Sequence, residues 1–306
     1  LDHLGSGKDW DLSRKHGGLR ILPPFSYARR GGDYRGPMDA LAGVPDYLNN
    51  IRQDYVIMGR GDLALNLPVA DVFQQHLDSG ADVTIVCTPT LRGAPRSSEY
   101  VEVSESGRIT DLSIHPTAAD QSLESLELYV LSKQLLLSMV DYCAAHDVTD
   151  FSRGVLQPRL DSLKLMPYVH QGYVGRFQSV DDYYHRSMDL LDPAVRDELF
   201  NPDRPIRTKD RSNPSTYYGP EAKSIHSLVA DGCRIEGEVE NSIIFRGVTV
   251  EKGAKVSNSV LMQGTVVKSG ASLGYVIADK NVTVNQDRTL TGHFTYPLAI
   301  AKESVV

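Results

Sequence analysis

An α/β domain followed by a parallel β-helix is the architecture that three features of this 306-residue sequence predict. A strand, a helix and a second strand follow one another over residues 51–90, the composition changes near residue 201, and an aliphatic repeat of period six runs from residue 247 onward.

The first run opens with "DYVIMG", Asp54 to Gly59, a β-branched stretch of buried-strand type. In "VADVFQQHLDSG" the residues Val69, Val72, Phe73 and Leu77 fall at helical spacing and Gly80 closes the helix, before "ADVTIVC" supplies the next strand. That order predicts parallel pairing through a helical crossover, and sheets of this kind bind ligands beyond the carboxyl ends of their strands. Asp62, in "GRGDLALN", lies just past such an end. Downstream, "YVEVSESGRITDLSI" alternates about Ser-Gly and predicts a hairpin, and "SKQLLLSMVDYCAAH" has the period of a half-buried helix.

The stretch "NPDRPIRTKDRSNPSTYYGP" is rich in proline and charge and reads as a connection over 201–220, leaving domains at 1–200 and 221–306. Beyond it Val248, Ala254, Val260 and Val266 recur every six residues, as do Leu261, Val267 and Leu273. Gly247 and Gly253, then Gly264 and Gly270, keep the same step. Short β-helix faces explain this: one aliphatic side chain points inward per face and glycine or asparagine takes the corner. A β-sandwich would alternate with period two instead. The register slips around Glu236 to Asn241.

Hydrophobic residues make up 41% and charged ones 23%, the balance of a globular protein with length for two cores. A net charge of −7 opposes a broad basic face for nucleic acid, while a local anion pocket stays compatible with it. Cys87, Cys143 and Cys233 are odd in number and widely spaced, so neither a disulfide framework nor a zinc site is indicated. No apolar window of about 18 residues suggests a membrane span. The expectation is a cytoplasmic protein. The chain opens on Leu1 directly into a structured-looking segment, which suggests that a natural N-terminal part of the first domain is absent.

Four stretches carry a family resemblance: "HLGSGKDWDLSRKHGGLRILPP", "YRGPMDALAGVPDYL", "MDLLDP" and "YYGPEAKSIHSLVADGCRIEGEVENSIIFRGVTVEKGA". They resemble bacterial glucose-1-phosphate adenylyltransferase, or ADP-glucose pyrophosphorylase. The stretches "RPIRTKDRSNPSTYYG" and "GHFTYPLAIAKESVV" are most similar to the D-type companion subunit of glycogen synthesis. The resemblance implies a Rossmann-like nucleotidyltransferase domain followed by a left-handed β-helix of hexapeptide repeats. It also implies conversion of ATP and glucose 1-phosphate to ADP-glucose and pyrophosphate, with Mg2+ clamped by two aspartates and a lysine on the sugar phosphate.

Matched to that pattern, Asp62 after Gly61 stands at the first metal aspartate. Arg176, in "RFQS", stands where the second aspartate would be. A fixed cation beside a dication opposes metal binding by about 4 kcal/mol per unit charge at about 4 Å and an effective dielectric of about 20. "LSIHP" places His115 where the sugar-phosphate lysine belongs and Ile114 at the residue before it. "SLE" keeps Ser125 of the sugar pocket but puts Glu127 in place of a glycine. "YRGPMDA" keeps Tyr34, Arg35, Gly36 and Asp39 while Pro37 removes a hydroxyl and a backbone donor.

These departures predict a subunit with little or no catalysis that modulates a catalytic homologue, in a hetero-oligomer or a homo-oligomer, with Asp62 a remnant. Mg2+ is implied only for a catalytic chain. The alternatives are an active Mg-dependent nucleotidyltransferase when full length and, remotely, a hexapeptide acyltransferase using His226 or His293. Arg204, Arg207, Lys209 and Arg211 form a basic cluster that suits either a solvated linker or a phosphorylated-sugar effector. The tripeptide Arg60-Gly61-Asp62, the carboxylates around His185 and the Cys143/His146 pair read as chance or packing.

Overall fold

The computed structural model describes residues 3–15, 17–22, 34–89, 99–114, 123–209 and 211–306. They fall into two compact units, Leu4–Gly61 with Leu67–Gly172, and His3 and Asp62–Asn66 with Tyr173–Val306. The compositional break near residue 201 therefore lies inside the second unit.

The first unit contains α1 (Pro37–Ala42), α2 (Pro45–Asn50) and β1 (Tyr55–Met58). In the second unit, β2 (Leu63–Ala64) interrupts the sequence. The first resumes with α3 (Val69–Ser79), β3 (Val83–Pro89), β4 (Glu99–Val103), β5 (Ile109–Ile114), β6 (Leu123–Ser132), α4 (Lys133–His146) and β7 (Leu165–Val169). Its sheet runs in the order β5-β4-β6-β3-β7, with β1 also on β6. The hairpin expected over "YVEVSESGRITDLSI" is β4 and β5, antiparallel. Gly80 caps α3 in the left-handed conformation, and the Ser132 hydroxyl caps α4 by accepting from the Leu135 N–H at 3.1 Å.

Two expectations need correction. β1 and β3 point the same way but are not neighbours: each pairs antiparallel with β6, and the direct parallel partner of β3 is β7. The crossover helix is present; the strand inserted between its ends comes from about 40 residues further on, and no local signal announces it. In α3 the buried positions are Val72 and His76, while Val69 and Leu77 are exposed. His76 tolerates burial because its Nδ1 lies 2.8 Å from the Thr84 hydroxyl on β3. The core unites Val83, Ile85 and Leu131 of the sheet with Leu136, Met139, Val140 and Cys143 of α4 and Met38 and Leu48 of the first two helices.

In the second unit β2 pairs antiparallel with β8 (Gly175–Arg176), followed by α5 (Val180–Asp189) and α6 (Pro193–Leu199). A parallel β-solenoid of about four turns comes next, built as three five-stranded sheets. Its first coil is β9 (Tyr217–Tyr218), β10 (Lys223–Ile225) and β11 (Leu228–Val229), so the solenoid begins within the stretch read as a connection. Glu238 pairs with Lys255 and Lys255 with Ser272, a coil of 17 residues rather than 18. One coil is shorter still: Tyr217 to Arg234 is a step of 17, but Lys223 pairs with Glu238 and Arg234 with Thr249, steps of 15. The missing residues fall at the corner beside Glu236, where Gly237 has no room for a Cβ against the Ala254 carbonyl.

Gly247, Gly253, Gly264 and Gly270 all carry positive φ, as expected of corners, and Asn241 and Asn258 do so on the tightest one. The 17-residue coil explains why the strict period of six fails as a guide to the interior. Leu261, Val267 and Leu273 do point inward, and Val248 and Ala254 join them. Val260 instead faces outward, packed with Tyr184 of α5, Ile243 and Ile277, and Val266 is half-buried. Tyr184 is fully buried there, and its hydroxyl donates to the Asn258 carbonyl at 2.8 Å. α5 is thereby fixed to one face of the coils.

Candidate functional site

In the first unit, the sequence-predicted pocket residues lie in two groups. Around the carboxyl end of β1, the pairing of β3 with β6 jumps from Val86–Leu128 to Cys87–Ser125, which leaves Leu126 and Glu127 as a bulge. Glu127 has φ of 52°, the left-handed region that glycine enters freely and other residues rarely. Its N–H donates to the Ser125 hydroxyl at 3.0 Å, and its carboxylate accepts from Arg60 Nη1 at 3.3 and 3.2 Å. Ser125 is fully buried. Close by, the Tyr129 hydroxyl lies 3.2 Å from both carboxylate oxygens of the buried Glu99 and 2.8 Å from the Ser152 hydroxyl. Burial raises the Glu99 carboxyl above the usual range, against the opposing hydrogen bonds, and the Glu127 charge adds to the rise. Ile114, the last residue of β5, packs against the core, and His115 lies outside the described residues.

The second group is "YRGPMDA". The Arg35 guanidinium reaches Asp147 at 2.7 and 3.1 Å and Asp39 at 3.3 Å, and its backbone N–H also donates to Asp39 at 3.2 Å. That N–H, then the guanidinium, hold the Asp39 carboxyl below its ordinary value. Gly36 precedes α1, with Pro37 at its first position. A methyl at Gly36 would sit 3.0 Å from the Thr149 carbonyl carbon and closer still to its oxygen, the same oxygen that accepts from the Met38 N–H at 3.1 Å. Tyr34 keeps a buried hydroxyl without a hydrogen-bond partner among the described residues. Gly61 is exposed, with open space where a Cβ would stand.

Asp62 and Arg176 belong to the second unit and lie on paired backbone. Leu63 is opposite Arg176, and the Phe177 N–H donates to the Asp62 carbonyl at 2.8 Å. Arg176 is 5% exposed, a permanent cation held out of water on the strand that leads into α5. Ser179 ends "RFQS" as the cap of α5: its hydroxyl accepts from the Asp182 N–H at 3.0 Å and donates to the Asp182 carboxylate at 2.8 Å. Among the described residues no group of three His, Cys, Asp or Glu side chains is placed to hold a metal ion. With a guanidinium on the strand paired to that following Asp62, the donor set does not fit Mg2+.

Similarity to known proteins agrees with this layout. Residues 215–293 match the family described as GlmU-like, C-terminal hexapeptide. Glycogen biosynthesis protein GlgD of Bacillus subtilis (strain 168) is 34% identical over 302 residues, covering 99% of this chain and 78% of that protein. The chain belongs to the GlgD and glucose-1-phosphate adenylyltransferase family. Within it, GlgD of Geobacillus stearothermophilus is 35% identical over 260 residues, 84% of this chain and 65% of its own length. The glucose-1-phosphate adenylyltransferase of the same organism is 31% identical over 258 residues, 83% and 66% of the two chains.

Where the family resemblance implies a glycine, Glu127 has a left-handed backbone of the kind glycine adopts freely. The sequence reading missed Arg60, the partner of Glu127. The two residues are 67 apart in the chain, so no local pattern announces the pair. Of the basic cluster, Arg204, Arg207 and Arg211 are exposed and Lys209 is half-buried. Arg204 Nε donates to Asn66 Oδ1 at 3.2 Å, and Asn66 in turn donates to the Leu199 and Arg204 carbonyls, both at 2.8 Å. The two solenoid histidines are in local bonds: His226 Nδ1 with Asn241 Oδ1 at 2.7 Å and His293 Nδ1 with Thr295 Oγ1 at 2.9 Å. Among the described residues no helix is long and apolar enough to cross a membrane.

Proposed function

We propose that this protein serves glycogen biosynthesis as a cytoplasmic subunit of glucose-1-phosphate adenylyltransferase and modulates a catalytic homologue rather than catalysing the transfer itself. The buried Arg176, where the family resemblance implies a metal-binding aspartate, carries this reading. In-line attack on the α-phosphorus of ATP requires the triphosphate charge to be neutralised. A guanidinium in place of a carboxylate removes a ligand and repels the dication that would do so. The left-handed Glu127 supports the same reading, since it adds negative charge where a sugar phosphate would be received. The retained Tyr34, Arg35, Gly36 and Asp39 do not oppose it, because Arg35, Gly36 and Asp39 are engaged in packing α1 against the end of α4. The assembly would be a hetero-oligomer with the catalytic homologue, and a phosphorylated sugar is the effector class suited to the basic residues from Arg204 to Arg211.

The test is an assay of ADP-glucose formation by the natural full-length protein alone, by the catalytic homologue alone, and by the two together. The lone protein is expected to form none and the mixture to differ from the homologue in turnover or apparent substrate affinity. Magnesium-dependent activity of the lone protein that Asp62→Asn abolishes would establish an active transferase instead. A mixture that behaves as the homologue alone would refute the modulatory role.

A further inference from the structure

The corner of the solenoid that Tyr275 turns alone in one coil is drawn out into a loop in the next. Gly274 pairs with Thr291 and Val276 with Leu298, so residues 292–297, "GHFTYP", stand where a single residue sufficed before. They form a closed hairpin: the His293 N–H donates to the Tyr296 carbonyl at 3.0 Å and the Tyr296 N–H to the His293 carbonyl at 2.9 Å. Its base is fixed, since the Gly292 N–H donates to the Gly274 carbonyl at 2.8 Å and the Leu298 N–H to the Tyr275 carbonyl at 2.9 Å. Gly292 has no room for a Cβ beside that second carbonyl. On one side Phe294 meets His185 of α5 edge to face, with ring centroids 4.6 Å apart, and His293 lies 6.4 Å from Tyr275 by the same measure. A hairpin so braced still leaves Phe294 54% and Tyr296 81% exposed. Hydrogen-bonding groups stand beside the rings: His185 Nε2 is 3.3 Å from an Asp181 carboxylate oxygen, and His293 Nδ1 is 2.9 Å from the Thr295 hydroxyl.

Rings flanked by hydroxyl, imidazole and carboxylate groups suit a ligand with an apolar face and hydroxyls around its edge, which is the chemistry of a pyranose ring. Phosphate is disfavoured, because this group of side chains contains a carboxylate and neither lysine nor arginine. A protein partner is disfavoured by size. A covered tyrosine or phenylalanine buries about 200 Å², so the exposed parts of these two offer about 300 Å², well below the roughly 800 Å² that each side of a stable interface takes. A small contact is enough for a repeating polymer, which presents many copies of its unit at high local concentration. We propose that the hairpin of residues 292–297 is a binding site for a chain of α-1,4-linked glucose, which stacks on Tyr296 and Phe294 and directs its hydroxyls to His293, His185 and Asp181. The inference rests on the glycogen-biosynthesis part of the proposed function and names a polymer partner that the transfer chemistry does not require.

The experiment is native electrophoresis of the natural full-length protein through gels containing glycogen, dextran or neither, together with calorimetric titration by maltoheptaose. Glycogen, and not dextran, is expected to retard the natural protein. Tyr296→Ala and the double variant Phe294→Ala/Tyr296→Ala are expected to bind maltoheptaose about tenfold or more weakly, which corresponds to about 1.4 kcal/mol. Tyr296→Trp keeps a ring and should bind as the natural protein does, and so should Tyr217→Ala, which removes an exposed ring from the first coil. The inference is overturned if glycogen fails to retard the natural protein, if dextran retards it equally, or if Tyr296→Ala binds maltoheptaose undiminished. Should the double variant fail to fold, Tyr296→Ala alone decides, because that side chain lies mostly in water. Weakened association of Tyr296→Ala with the catalytic homologue, in the absence of glucan binding, would also overturn the inference and give the hairpin to a protein interface. Retardation by glycogen with no effect on the homologue removes only the modulatory role, whereas an effect on the homologue without retardation removes only the glucan site.

Discussion

Replacing Gly36 by alanine separates a glycine kept for packing from one kept to let a ligand approach the backbone. The added methyl would overlap the Thr149 carbonyl, which already accepts from the Met38 N–H at 3.1 Å. Backbone atoms on both sides leave no flexible side chain to move away. Loss of that bond costs about 0.5–1.5 kcal/mol and the forced displacement about 1–3, so about 2–4 kcal/mol in all is expected. For a cooperative unit of this size that corresponds to a melting temperature lower by about 4–16 °C. Differential scanning calorimetry of Gly36→Ala beside Gly61→Ala reads the difference. Gly61 is exposed and a methyl there would enter open space, so its variant should melt within about 1 °C of the natural protein. If Gly36→Ala melts with the natural protein, the close approach to Thr149 is not what retains the glycine, and the motif would need a ligand to explain it.

Glu99→Gln tests the buried carboxyl. Because its folded value is raised, Glu99 contributes stability below the ordinary value of about 4.3 and loses it as pH rises through the folded value. Urea melts should therefore show the glutamine variant gaining on the natural protein from pH 4 toward pH 7; a difference independent of pH would refute the shift. Ser259→Ala removes the acceptor for the Val276 N–H at 3.0 Å on a fully buried corner and should cost about 1–3 kcal/mol by the same method, with no measurable loss counting against that bond's contribution. Leu261→Ala empties an inward position of the solenoid and should cost about 2–5 kcal/mol, whereas a surface-like loss under about 0.5 kcal/mol would contradict the inward assignment.

What the sequence disclosed was whatever local chemistry decides. Gly80, the alternation about Ser-Gly and the glycine corners each announce a turn within a few residues of themselves, and all three stand as expected. The placement of β6 between β1 and β3 is a pairing over a long stretch of chain, so the helical crossover was legible and its neighbour was not. A constant step of six is likewise a local rule, while the 17-residue coil emerges only when coils stack, and that is how Val260 came to face α5 instead of the interior. At the candidate site the departures at Arg176 and Glu127 could be read from residue types. Their neighbours could not, since Arg60 reaches Glu127 only after the sheet has formed.

The seating of α5 on the coils has a mechanical corollary. Arg176 is three residues from the cap of that helix, Asp62 is hydrogen-bonded to the strand carrying it, and both travel in one compact body with the solenoid. A companion that grips the coils would therefore hold Asp62 and Arg176 by their handle, and could tilt or steady them without coming near them.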